Sequence, residues 1–115
     1  MRRDALAIAE AGYAAINTEK VINGKVQVVG DELCIDGKLF NIASRKVYFV
    51  GVGKCAVSAG RAIEKVLGDF FTAGIALDVA TSEQANQKQV ASKLETIIGT
   101  HPLPSEVNET ATKRI

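Results

Sequence analysis

The segment from Val47 to Leu67 constrains this chain more than any other. Val47-Tyr48-Phe49-Val50 is a continuous apolar run, the pattern of a strand covered on both faces. It leads through Gly51-Val52-Gly53-Lys54 into a helix from about Lys54 to Leu67, with Gly68 placed to stop it. Ala56, Ala59 and Gly60 would let that helix sit close to the sheet. A strand, a glycine turn and a tightly packed helix in succession are the opening of an α/β fold.

The flanking segments extend that reading. Ala5, Leu6, Ala9, Tyr13 and Ile16 recur at three- and four-residue steps, which predicts a helix over Arg2–Asn17 with one apolar face. From Val21 to Ile42 short apolar stretches are separated by Gly30-Asp31 and Asp36-Gly37, the signals of an antiparallel meander. Gly74–Val79 and Glu95–Ile98 read as further strands, with a short helix near 87–93 between them. Strands alternating with helices imply a largely parallel sheet. The expected fold is therefore a three-layer, Rossmann-like α/β domain with a mainly parallel sheet and a small antiparallel meander near the N-terminus. Tyr13 and the four Phe residues are expected in the core, and Cys34 as a small buried strand residue.

Size and composition limit the function classes. The chain has 115 residues, 47% hydrophobic and 23% charged, which suits one ordered domain. A net charge of +1 lacks the basic excess of a nucleic-acid binder. The apolar runs are too short to span a bilayer, and the N-terminus does not read as a signal peptide. Cys34 and Cys55 have neither disulfide nor zinc spacing. A cytoplasmic protein without nucleic-acid or membrane partners is the expectation.

Gly51–Lys54 carries the chemistry. Glycines allow close backbone approach, and a helix N-terminus offers unpaired N–H groups and partial positive charge. Lys54 adds a mobile full charge. Phosphate or carboxylate would suit such a place. The string Gly51-Val52-Gly53-Lys54-Cys55-Ala56 also satisfies the dinucleotide pattern G-x-G-x-x-A, although the next strand holds Asp78 rather than an acidic residue at its very end. A plain strand-to-helix turn with a solvated Lys54 is the third reading. The P-loop pattern is not met. Cys55 has no base partner in the sequence.

His101, the only histidine, lies in the stiff loop His101-Pro102-Leu103-Pro104. It follows the third strand, so it should emerge at the same sheet edge as Lys54; the other reading is an ordinary loop histidine beside prolines that shape a helix entry. Ser105 and Asn108 look like the cap and first turn of a helix that the chain leaves unfinished at Ile115. The chain is thus expected to be an incomplete portion of a longer protein, whose unfinished edge would also permit self-association.

Five blocks occur together in order: Arg3–Ile8 with Gly12–Ile16, Val47–Ala56, Ala62–Asp69, and His101-Pro102-Leu103-Pro104. This order resembles the MOFRL-type, class II glycerate 2-kinases, some of which have been labelled hydroxypyruvate reductases. The chain departs from the commoner pattern at Asn17-Thr18, Thr100 and Ser105. The resemblance implies that residues 1–115 are the N-terminal portion of an enzyme that transfers the γ-phosphoryl of ATP, with Mg²⁺, to the 2-hydroxyl of D-glycerate. It further implies Lys54 as the catalytic charge, Gly51, Gly53, Lys54 and His101 as substrate or phosphate contacts, and no metal ligand in this portion. The glycine- and serine-rich nucleotide motif of such enzymes is absent, so this portion alone should be inactive. An NAD(P)-dependent oxidoreductase and a non-catalytic binding module are the alternatives.

Overall fold

The computed structural model describes residues 1–79 and 92–115. The short helix expected near 87–93 falls mostly outside them, and Ser92 and Lys93 are not helical. The N-terminal helix forms as α1, Arg2–Ala15, but it ends two residues early. Asn17 starts a second helix instead, α2, Thr18–Lys25, by accepting the Lys20 N–H on its side-chain oxygen at 2.9 Å. Val21–Lys25 is therefore helical rather than the start of the meander. The Asn17 cap satisfies a donor that a strand would have paired across the sheet.

The meander follows as β1, Val26–Val29, β2, Glu32–Ile35, and β3, Lys38–Asn41, paired antiparallel in that order. Asp36 and Gly37 have φ of 49° and 82°, the left-handed pair that a two-residue hairpin requires.

The second sheet is parallel, in the order β4, Val47–Val52, β5, Phe71–Val79, and β6, Leu94–Gly99. Val52, Leu77 and Ile97 stand side by side in its register. Helix α3, Ala56–Leu67, lies on one face, and Gly68 at φ 53° ends it. A Cβ added at Gly60 would meet Leu94 Cδ2 at 2.8 Å and Phe49 Cε1 at 2.9 Å, so glycine is what lets α3 approach this closely.

Leu94 faces α3, and strand alternation turns Glu95, Ile97 and Gly99 the other way. On that side Arg114 reaches Glu95 at 2.8 Å, and the Asn108 side chain lies against Gly99. Both belong to or adjoin α4, Glu106–Thr112. The two helices therefore lie on opposite faces of the sheet, which gives the expected three layers. The core runs from Val26, Leu33 and Ile42 through Val57 and Leu67 of α3 to Phe71 and Leu94 of the sheet. The antiparallel meander, the parallel sheet and the α/β class all match the sequence reading.

Four packing expectations are corrected. Helix α1 buries none of its residues, and Tyr13 is exposed, because no described element packs on the apolar face of α1. Strand β4 is covered on one face only: its burial alternates, and Tyr48, Val50 and Val52 stay more than half exposed. Of the four Phe residues, Phe71 is fully buried, Phe49 and Phe70 are half-buried, and Phe40 is exposed. Cys34 is half-buried.

Candidate functional site at the carboxyl edge of the parallel sheet

Lys54 lies just beyond β4, Asp78 is the penultimate residue of β5, and His101 lies two residues beyond β6. All three therefore sit at the carboxyl edge of one parallel sheet, the usual place for ligands in open α/β folds. Lys54 and His101 follow strands two positions apart, a lateral separation of about 10 Å at ordinary strand spacing. The structure brings them to one edge, and no hydrogen bond joins them.

The turn before α3 is fixed at both ends by neighbouring residues of β5. The Gly53 N–H donates to the Leu77 carbonyl at 2.9 Å. The Val57 N–H, in the first turn of α3, donates to Asp78 Oδ2 at 3.0 Å. Asp78 Oδ1 accepts the Val79 N–H at 2.7 Å. Within the turn, the Ala56 N–H returns to the Gly53 carbonyl at 3.1 Å. Gly53 takes φ 111° and Cys55 φ 69°, so the chain reverses sharply and leaves Lys54 at its outer point.

This arrangement changes the role of the helix N-terminus. The pull of its free N–H groups on negative charge acts first on the protein's own Asp78 carboxylate. The Gly53 N–H, expected to help hold an anion, is already taken by Leu77. Gly51 lies in β4, and a Cβ there would lie 2.7 Å from the Phe49 ring and 3.2 Å from Ala56 Cβ. Its smallness thus serves packing beneath α3.

Lys54 is exposed and has no hydrogen bond or ion pair among the described residues. Its full charge is thus uncompensated among the described residues. Cys55 is exposed and forms the N-cap residue of α3 without a side-chain bond. The G-x-G-x-x-A string opens a helix whose first turn already holds the Asp78 carboxylate. A pyrophosphate at the start of α3 would meet the Asp78 carboxylate, and that carboxylate is engaged with backbone rather than free for a ribose.

The second loop is organised by Asn108. Its Oδ1 accepts the N–H groups of Thr100 and Ser105 at 3.0 and 3.1 Å, and the Ser105 hydroxyl at 3.0 Å. The Thr100 hydroxyl donates to the Leu103 carbonyl at 2.7 Å. Thr100 and Ser105, two of the departures from the commoner pattern, are thus both partners of one amide. His101 projects from this closed loop, exposed, and its peptide bond to Pro102 is cis.

The sequence marked Lys54 and His101 but not the supporting roles of Asp78 and Asn108. Nothing near Asp78 signals a helix cap, because its partner Val57 is 21 residues away. Asn108 at the third position after Ser105 was the readable signal.

Among the described residues, no three His, Cys, Asp or Glu side chains converge to hold a metal ion. No described helix is long and apolar enough to cross a membrane.

The fold defines an α/β domain whose parallel sheet carries at its carboxyl edge a lysine, Lys54, that is unpaired among the described residues. The chain belongs to the DUF4147 family, described as a domain of unknown function, which matches residues 4–115. It is similar to a glycerate 2-kinase of Pyrococcus horikoshii, with 32% identity over 99 residues that make up 86% of this chain. A crystal structure of the PH0495 protein from Pyrococcus horikoshii OT3 superposes with a TM-score of 0.77 at 26% identity over 97% of this chain. The chain spans only 20% of the glycerate 2-kinase and 24% of the crystallised protein. These likenesses support a relationship to the glycerate kinases.

Proposed function

We propose that this chain is the N-terminal portion of an ATP-dependent glycerate 2-kinase of the MOFRL type, acting in the cytoplasm, and that it supplies the edge that receives the substrate anion. The observation that carries the reading is Lys54, an exposed cation with no partner among the described residues, held at the carboxyl edge by a turn fixed at both ends. The similarity to a glycerate 2-kinase supplies the substrate class.

In this reaction the 2-hydroxyl oxygen of D-glycerate bonds to the γ-phosphorus of ATP. The bond to the β,γ-bridging oxygen breaks, ADP leaves, and the hydroxyl proton is released. Such transfers depend on positioning and charge neutralisation. Lys54 neutralises the glycerate carboxylate or the phosphoryl in flight, which a preorganised cation does best at a partly dehydrated edge. His101 is a secondary contact from the neighbouring loop, and Gly51 and Gly53 shape the turn. ATP and Mg²⁺ are implied by the resemblance. The described residues provide no cluster for the metal, and the nucleotide would be held by parts of the enzyme outside this chain.

Lys54→Ala, made in a full-length protein containing this chain, tests the reading. We expect ATP-dependent glycerate phosphorylation to fall by about a hundredfold or more, the usual size of a lost charge contact to a transition state. Near-normal turnover would remove Lys54 from the mechanism. A rise in the KM for glycerate alone would place the charge on the carboxylate, and a fall in kcat would place it on the phosphoryl. The 115-residue chain by itself should phosphorylate nothing.

A further inference from the structure

We propose that Asp78 is a positioning residue that sets where Lys54 stands; the inference rests on the phosphotransferase reading above. Asp78 is a buried charged side chain, 8% exposed, and both its oxygens are used. Oδ2 holds the Val57 N–H and Oδ1 the Val79 N–H. Its neighbour Leu77 holds the Gly53 N–H through its carbonyl. Two consecutive residues of β5 thus grip both ends of the stretch 53–57, and Lys54 lies between the two grips.

The grips differ in kind. The Leu77 contact is backbone to backbone and survives any side-chain change. The Asp78 contact is charge-assisted, which makes it the stronger of the two, and a change of the side chain at position 78 removes it. It also sits where the N-terminal field of α3 favours a carboxylate. With that seat filled by the protein's own charge, an incoming anion is directed to the Lys54 ammonium and away from the helix backbone. Asp78 therefore acts on the substrate through Lys54 and does not touch it.

The test compares D78A, D78N and K54A in a full-length protein containing this chain, with kcat, the KM for glycerate, the KM for ATP and the folded fraction measured for each. D78N keeps one acceptor oxygen for Val57 but loses the charge and the second acceptor. We expect D78A to impair the same kinetic parameter that K54A impairs, by about ten- to a hundredfold, the scale of a small misplacement of a reacting group. D78N should recover most of that but keep a loss of about threefold in the same parameter, and the KM for ATP should stay unchanged in both. A loss in D78A that follows only the unfolded fraction, a shift in the KM for ATP, or a D78N variant as impaired as D78A would overturn the proposal. Should D78A not fold, D78N decides alone. A loss of about threefold confined to the K54A-sensitive parameter supports the proposal, and wild-type kinetics overturn it. If K54A itself turns over normally, the phosphotransferase reading has failed, and that outcome is distinct from a failure of Asp78.

Discussion

The Asp78 carboxylate and the Val57 amide, 21 residues apart in sequence, meet at 3.0 Å and join the end of β5 to the first turn of α3. Val57 is 2% exposed, so its N–H loses its partner within the protein if the carboxylate is removed. Asp78→Ala should therefore destabilise the protein by about 1–3 kcal/mol, the cost of an orphaned buried donor. Asp78→Asn should cost less than half of that. Urea unfolding of both variants checks the order.

Gly53 stands at φ 111°, outside the left-handed basin that Asn or Asp can use and open to glycine alone. Nothing lies within 4 Å of a Cβ built there, so the obstacle is backbone strain and not space. Gly53→Ala should lower stability by about 1–3 kcal/mol. The effect would be read as a shift in denaturation midpoint. An unchanged midpoint would mean that the turn adopts another shape.

Gly60 presents the opposite case. Its helical conformation is ordinary, but a Cβ there meets Leu94 and Phe49 below 3 Å. Gly60→Val should push α3 off the sheet and cost about 1–3 kcal/mol, as overpacking does. Thermal unfolding of this variant beside a double variant with Leu94→Ala would show whether room made at Leu94 restores the loss.

Asn108 holds the loop that carries His101. Every N–H and hydroxyl that its side chain accepts goes to Oδ1, and the side chain's one donor contact among the described residues, to the Thr100 carbonyl, is long at 3.4 Å. Asn108→Asp should thus be close to neutral, and helped by its place in the first turn of α4. Asn108→Ala should cost about 1–3 kcal/mol. It should also raise amide hydrogen exchange at Thr100 and Ser105. Equal stability of the two variants would count against the network.

The dinucleotide pattern is also testable. With Asp78 seated at the start of α3, we expect no change in NADH or NADPH fluorescence on titration with the protein at millimolar cofactor. Saturable binding would show that the carboxylate yields to a pyrophosphate.

Much of the local structure was legible because it depends on neighbours in sequence. The turn residues of the meander, the stop at Gly68 and the cap at Ser105 each act within a few residues, and each appears where the pattern put it. The break between α1 and α2 was legible too, in the Asn17 cap, but the apolar periodicity through Ile16 ran past it. Periodicity also promised a core role for Tyr13, and the continuous apolar run Val47–Val50 promised two covered faces for β4. Both failed for one reason: an apolar face buries itself only where another element lies against it, and that is a property of the assembled chain.

The turn at Gly51–Lys54 divides along the same line. The sequence by itself determined that a strand would pass through glycines into a close-packed helix and leave a lysine at the sheet edge, because those features follow from backbone freedom and side-chain size. Only the tertiary structure decided what the helix N-terminus would hold. Parallel pairing of β4 with β5 set Leu77 beside Val52 and so carried Asp78 to Val57. The start of α3 was thereby given to the protein's own carboxylate, and Lys54 was left exposed and without a partner among the described residues.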